Sequence, residues 1–172
     1  MTTIDISVNG KHVSVDDSCS VLDAINSSGT PIPQLCKDPD MKPIGACRTC
    51  LVEIDGVRGF PASCSTPVSD GMIVLTGTEQ LQEVRNGVLE LTAGMLPRND
   101  KSAFRELSTA MSTSSTSQNV WRGRDREKTD SSNPIFDISM DSCILCGRCA
   151  QACQAGHQFI GAIDVLGTGD KA

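Results

Sequence analysis

Apolar and polar residues alternate from Ile4 to Val8 and again from Lys11 to Val15, and Asn9-Gly10 between them suits a turn that needs positive φ at both positions. This pattern predicts a β-hairpin. Val21, Leu22, Ala24 and Ile25 then share one side of a short helix that Ser20 can cap, with Asp23 placed where a negative charge meets the positive end of the helix dipole. Gly29, Pro31 and Pro33 end it. Leu35 to Thr49 is rich in Pro, Gly and Asp and reads as a long loop wrapped around something. Leu51–Ile54 and Phe60–Ser63 look like paired strands around Asp55-Gly56, and Met72–Thr76 is a further apolar strand. Leu81, Val84, Val88, Leu91 and Met95 recur at helical spacing, which predicts an amphipathic helix over 79–96, its apolar stripe turned to the core and its end set before Pro97.

Past this helix the pattern fades. Between Ser108 and Ser117 eight of ten residues are Ser or Thr, and basic and acidic residues alternate from Arg122 to Lys128. Such a segment buries too little apolar surface to offset the entropy of ordering, so residues 108–133 read as a flexible linker, preceded by a helical extension over 79–107. A short cysteine-rich module, 134–172, follows. With four Phe, one Trp and no Tyr in 172 residues, aromatic packing contributes little, and metal ligation is the natural stabiliser of so small a module.

The net charge of −6 argues against a nucleic-acid binder, which needs a surplus of Lys and Arg to neutralise phosphates. The start, MTTIDISVNGKHVSV, has neither a basic nor an apolar leader region, and no stretch approaches the length of a transmembrane helix, so a cytoplasmic setting is expected. In that compartment nine cysteines are better explained by metal binding or redox chemistry than by a disulfide framework.

Cys36, Cys47, Cys50 and Cys64 are separated by ten, two and thirteen residues, with the Cys-x2-Cys pair inside a glycine-containing loop. Four thiolates are what two irons with bridging sulfides require, and Gly45 and Ala46, having little or no side chain, let backbone N–H groups approach the sulfurs. A zinc site with four cysteine ligands is the alternative, although two Cys-x2-Cys pairs would be its more usual spacing. The ten-residue gap also departs from plant-type ferredoxins. PQLCKDPDMKPIGACRTCLVEIDG followed by PASCSTPVSDGM resembles the N-terminal ferredoxin-like domain of the large iron–sulfur subunit of respiratory complex I, which also occurs in NAD-reducing hydrogenases and in the α subunit of NAD-dependent formate dehydrogenases. The resemblance implies an α+β chain in which residues 1–78 adopt a β-grasp fold and the four cysteines hold a [2Fe–2S] cluster. Cys19 lies outside the spacing and receives no ligand role.

Cys143, Cys146, Cys149 and Cys153 form the run Cys-x2-Cys-x2-Cys-x3-Cys, the signature of [4Fe–4S] binding in bacterial ferredoxins. Tetrahedral zinc gains nothing from a third cysteine at that spacing. In two-cluster ferredoxins the fourth cysteine of such a run ligates the other cluster, and there is no second run here, so three sources stay open for the fourth ligand: Cys153, a partner chain, or sequence beyond this segment. Gln154 stands where a proline is usual. His157 could substitute for a thiolate but reads better as a surface or loop residue, His12 as structural or solvent-facing on its strand, and Arg148 either as a charge raising the reduction potential or as a solvated arginine.

ISMDSCILCGRCAQACQ resembles the equivalent stretch of formate dehydrogenase α subunits, and PRNDKSAFREL lacks the His and Cys ligands that complex I relatives place after the helix. Both features lean toward a formate dehydrogenase-like parent. The resulting expectation is an electron-transfer component with no catalytic residues of its own, passing electrons between one [2Fe–2S] and one [4Fe–4S] cluster. Its partners would be flavin- and NAD-binding subunits together with molybdopterin or other dehydrogenase subunits, since the chain carries neither a dinucleotide fingerprint nor a P-loop. The rivals are a stand-alone ferredoxin-like carrier, a zinc-stabilised assembly or interaction protein, and a redox sensor, for which no basic face speaks.

Overall fold

A computed structural model of the chain describes residues 2–96, 129–155 and 159–166. It divides into two units, Met1–Arg85 and Asn86–Ala172. Most of the expected Ser/Thr-rich linker and His157 lie outside the described residues.

In the first unit the hairpin forms as the alternation predicts, from β1 (Thr3–Val8) and β2 (Lys11–Asp16) in antiparallel register, Ile6 opposite Val13. Asn9 and Gly10 turn it at φ 52° and 83°, the pair of left-handed positions that such a tight turn demands. Asn9 has a second task. Its side-chain amide donates to Thr76 Oγ1 at 2.8 Å and its Oδ1 accepts from the Thr76 N–H at 2.9 Å, which pins the end of a distant strand to the turn.

Next to β1 lies that strand, β4 (Ile73–Leu75), parallel to β1 and antiparallel to the two-residue β3 (Glu53–Ile54). The sheet order is β2-β1-β4-β3, a mixed β-grasp sheet. Helix α1 (Val21–Ser28) buries Val21, Leu22, Ala24 and Ile25 into the core that Ile6, Val8, Val52, Val74 and Leu81 complete. Its start is a full capping box: Ser20 Oγ accepts from the Asp23 N–H at 3.2 Å while Asp23 accepts from the Ser20 N–H at 3.0 Å. Asp23 also pairs with Lys37, tying the loop that follows Leu35 to the helix.

Two expectations need correction. Leu51–Ile54 and Phe60–Ser63 do not form a paired ladder; they meet at one bridge, Leu51 with Ala62, and β3 pairs with β4 instead. Pro61 has no N–H to donate, so it offers only its carbonyl, which accepts from Val52 at 3.1 Å. The second correction concerns helix α2 (Glu79–Gly94), which forms where predicted but buries a different stripe. Val84 and Leu91 are 40% and 49% exposed, while Leu81, Arg85, Leu89 and Ala93 are buried. The stripe passes through an arginine, which a reading by polarity alone assigns to solvent.

In the second unit a 3-10 turn over Met140–Ser142 precedes helix α3 (Arg148–Ala155), and Asp130 bridges Ile138. Ala150 is buried, whereas Ile135, Phe159 and Leu166 are exposed. Among the described residues no helix is long and apolar enough to cross a membrane.

Burial works against the Asp23 carboxylate, yet hydrogen bonds from Lys37 and Ser20 hold its pKa below the ordinary carboxylate value. Its contribution to stability is therefore present above the unfolded pKa, near 3.8, and is lost as pH falls through the lower folded value. Ser20→Ala should cost about 1 kcal/mol by loss of the cap. Asp23→Asn should destabilise at pH 7, with the gap from the unmodified chain closing in acid. Urea unfolding of the three proteins at pH 7 and pH 3 measures both effects.

Candidate metal centres

The first cysteine loop is held at three points. Leu35 N–H donates to Thr49 Oγ1 at 3.3 Å, closing the loop across its own neck. Ser63 donates to the Cys50 carbonyl twice, from its N–H at 3.0 Å and its hydroxyl at 2.7 Å, which fixes the Cys64 segment against the Cys50 segment. Val21 N–H donates to the Thr66 carbonyl at 2.8 Å, anchoring the same segment to the start of α1. Cys64 itself rides on a 3-10 turn over Ser63–Ser65.

These restraints bring Cys36 beside Cys47 and Cys64 beside Cys50. Cys36, Cys50 and Cys64 are buried and Cys47 is half-buried. They stand in two pairs: the Cys36 thiol donates to Cys47, and Cys64 to Cys50. Among the described residues no three His, Cys, Asp or Glu side chains converge as a single metal ion would need.

Backbone N–H groups face the sulfurs. Those of Cys47, Thr49 and Gly45 reach Cys36, Cys47 and Cys64 in turn, and Thr49 Oγ1 lies 3.1 Å from Cys47 Sγ. The donors expected from the small residues of the loop thus include Gly45. Two left-handed residues produce this geometry, Gly45 at φ 66° and Arg48 at φ 55°. A Cβ at Gly45 would sit 3.2 Å from Ser65 Oγ and 3.5 Å from Ala62 Cβ.

The same hydrogen bonds polarise the thiols. The bond from Cys36 draws Cys47 down to about 5, against its burial and with help from Thr49. Cys36 is pushed up, first by donating that bond and then by burial. Burial pushes Cys64 up to about 11, reinforced by charge at Cys50 and opposed by the Gly45 N–H.

In the second unit Cys143 follows the 3-10 turn, and Cys149 and Cys153 lie one turn apart on α3, hence on one face. Leu145 N–H donates to Cys143 Sγ at 3.4 Å, with Leu145 at φ 55° and Gly147 at φ 73° bending the loop. Ala162 N–H donates to Cys153 Sγ at 3.1 Å, so Cys153 receives from a later segment what Cys143 receives locally. Cys149 is exposed and the other three are half-buried. Cys19, in the first unit, packs partly buried against the core. His12 is exposed.

One residue that bears on the first centre is not evident from the sequence pattern. Arg85 is buried on α2 and donates to the carbonyl of Leu51, next to Cys50, at 2.6 Å. Its place at i+4 from Leu81 was the available signal.

A β-grasp sheet with a shielded four-thiol loop, followed by a four-cysteine helical motif, defines a two-centre iron–sulfur protein. Residues 1–79 match the 2Fe-2S iron-sulfur cluster binding domain and residues 136–156 the 4Fe-4S binding domain. The cofactors are accordingly one [2Fe–2S] and one [4Fe–4S] cluster. The chain is 31% identical over 174 residues to the NADPH-Fe(3+) oxidoreductase subunit alpha of Geobacter sulfurreducens, covering 97% of this chain and 20% of that one. It is 28% identical over 158 residues to the mitochondrial NADH-ubiquinone oxidoreductase 78 kDa subunit of Candida albicans, covering 88% and 22%. A crystal structure of an NAD+-reducing [NiFe]-hydrogenase in the H2-reduced state superposes with a TM-score of 0.82 at 27% identity, covering 98% of this chain and 72% of that one.

The chain is similar to the iron–sulfur region of complex I-like large iron–sulfur subunits. It spans about a fifth of the length of the two relatives. The resemblance to complex I holds; neither relative is a formate dehydrogenase.

Gly45→Ala places a side chain in the left-handed region and against Ser65. It should lower the stability of the metal-free chain by about 1–2 kcal/mol and reduce iron retention. Denaturant unfolding and iron analysis on the same preparation check both.

Proposed function

We propose that the chain is an electron-transfer module of a multi-subunit NAD(P)H-linked dehydrogenase, with Cys36, Cys47, Cys50 and Cys64 holding the [2Fe–2S] cluster and Cys143, Cys146, Cys149 and Cys153 the [4Fe–4S] cluster. The observation that carries this reading is the match of residues 1–79 to the 2Fe-2S iron-sulfur cluster binding domain and of residues 136–156 to the 4Fe-4S binding domain, each containing one of the two cysteine groups. When bound, such clusters supply reversible one-electron transfer. The residues do the rest. Each cysteine gives up its thiol proton to become a ligand. N–H groups on the sulfurs delocalise negative charge that would otherwise be costly under the surface.

Cys153 is the fourth ligand of the second cluster in this reading, because the Ala162 N–H on its sulfur and its place one turn from Cys149 parallel the setting of Cys143. The domain limits that follow are 1–78 for the first module and 134–172 for the second. Partner subunits would bring flavin, nicotinamide and terminal substrate chemistry. The names of the relatives favour NADH, NADPH or hydrogen as the ultimate couple, while the motif around Cys143 and the lack of His and Cys in 97–107 favour formate.

The test is anaerobic purification with analysis of iron, sulfide and zinc, and EPR of the reduced protein over a range of temperatures. About six irons per chain are expected, with one slowly and one fast relaxing signal. Cys50→Ser should remove the slow signal alone, and Cys146→Ser the fast one alone. Zinc without sulfide would overturn the reading.

A further inference from the structure

Arg85 is the one charged side chain among the described residues that is buried, at 9% exposure. Nη1 donates to the Thr76 carbonyl at 3.1 Å and Nη2 to the Leu51 carbonyl at 2.6 Å, while Nε is buried with no partner. No carboxylate pairs with it among the described residues. A guanidinium stays charged in proteins, and a buried charge without a counter-charge is strongly unfavourable. Two neutral carbonyls do not neutralise it.

What lies beside it is the first cysteine loop. Leu51, which accepts the shorter hydrogen bond, is joined directly to Cys50, a residue only 1% exposed. Burial lowers the pKa of Arg85, and charge on Cys50 is the interaction that raises it again. Four thiolates on an iron–sulfide core carry net negative charge, and reduction adds one electron more. A fixed cation in the low-dielectric interior stabilises the more negative state the more strongly.

We propose that Arg85 is the internal counter-cation of the first cysteine centre, a positioning residue that favours the reduced state of the cluster and braces the Cys50–Leu51 backbone. The inference rests on the ligand assignment above and adds to it a residue outside every cysteine motif. It also accounts for the buried stripe of α2, which brings this side chain under the loop.

The experiment is an EPR-monitored redox titration of the slowly relaxing signal in the full-length, cluster-loaded protein, with iron and sulfide counted in each sample, for the unmodified chain and for Arg85→Gln, Arg85→Met and Arg85→Lys. The neutral variants should be reduced about tenfold less readily, equivalent to about 59 mV for a one-electron couple. Arg85→Lys, which keeps the charge, should stay close to the unmodified chain. Neutral variants that retain their iron and titrate at the original potential would overturn the inference, as would a lysine variant that falls as far as the glutamine one. If the neutral variants lose the cluster, the lysine variant decides: an unchanged potential supports the inference, and a tenfold drop overturns it. Absence of the slow signal from the unmodified chain would instead defeat the ligand assignment, and this inference with it.

Discussion

Four sulfur atoms gathered beneath the surface of a small domain must be supplied with donors and with positive charge, and the first module is organised around that requirement. Regular secondary structure cannot meet it, because the N–H groups of helices and strands are already spent on one another. A loop of irregular backbone can. From Leu35 to Thr49 the described chain forms neither helix nor strand, and N–H groups of the loop point at sulfur instead. The left-handed φ of Arg48, costing of order 1–2 kcal/mol, is part of what aims them.

Such a loop has little to hold its own shape, so the surrounding fold supplies the restraint. Helix α1 reaches the two ends of the site by separate contacts, the Lys37–Asp23 pair beside Cys36 and the Val21–Thr66 bond beyond Cys64. The capping box thus does more than start a helix, since Asp23 serves both the cap and the loop. The sheet acts from the other side, where Val52, directly after Leu51, is fully buried in the core. Cys50 is consequently a core residue as much as a ligand, which explains why its backbone takes hydrogen bonds from Ser63.

Much of this was legible in the sequence. The Asn9-Gly10 turn, the Ser20 cap and the eight cysteines identify themselves because each depends on local chemistry with a narrow choice of residues. The 51–54 and 60–63 segments misled because alternation and a turn signal do not reveal that Pro61 lacks a donor where a ladder would need one. The α2 stripe misled for a different reason. An arginine in a heptad-like pattern is scored by its charge, yet its long apolar stem can run through packed surroundings while its head finds carbonyls there. That Thr76 and Leu51 both offer carbonyls to Arg85 is a tertiary fact without local signature.

The two cysteine groups solve the same chemical problem with different resources. The first is embedded in a domain with a core of Ile6, Leu22, Ile25, Val74 and Leu81. In the second unit Ala150 is buried while Ile135, Phe159, Ile160 and Leu166 stand open, and Cys149 is itself exposed. Among the described residues from 129 onward, Ala150 is the only buried hydrophobic. Ligand bonds must then provide a larger share of the folding free energy, as they do in small metal-dependent modules. Occupancy of the first site then turns on how well its loop receives the charge of the group it binds.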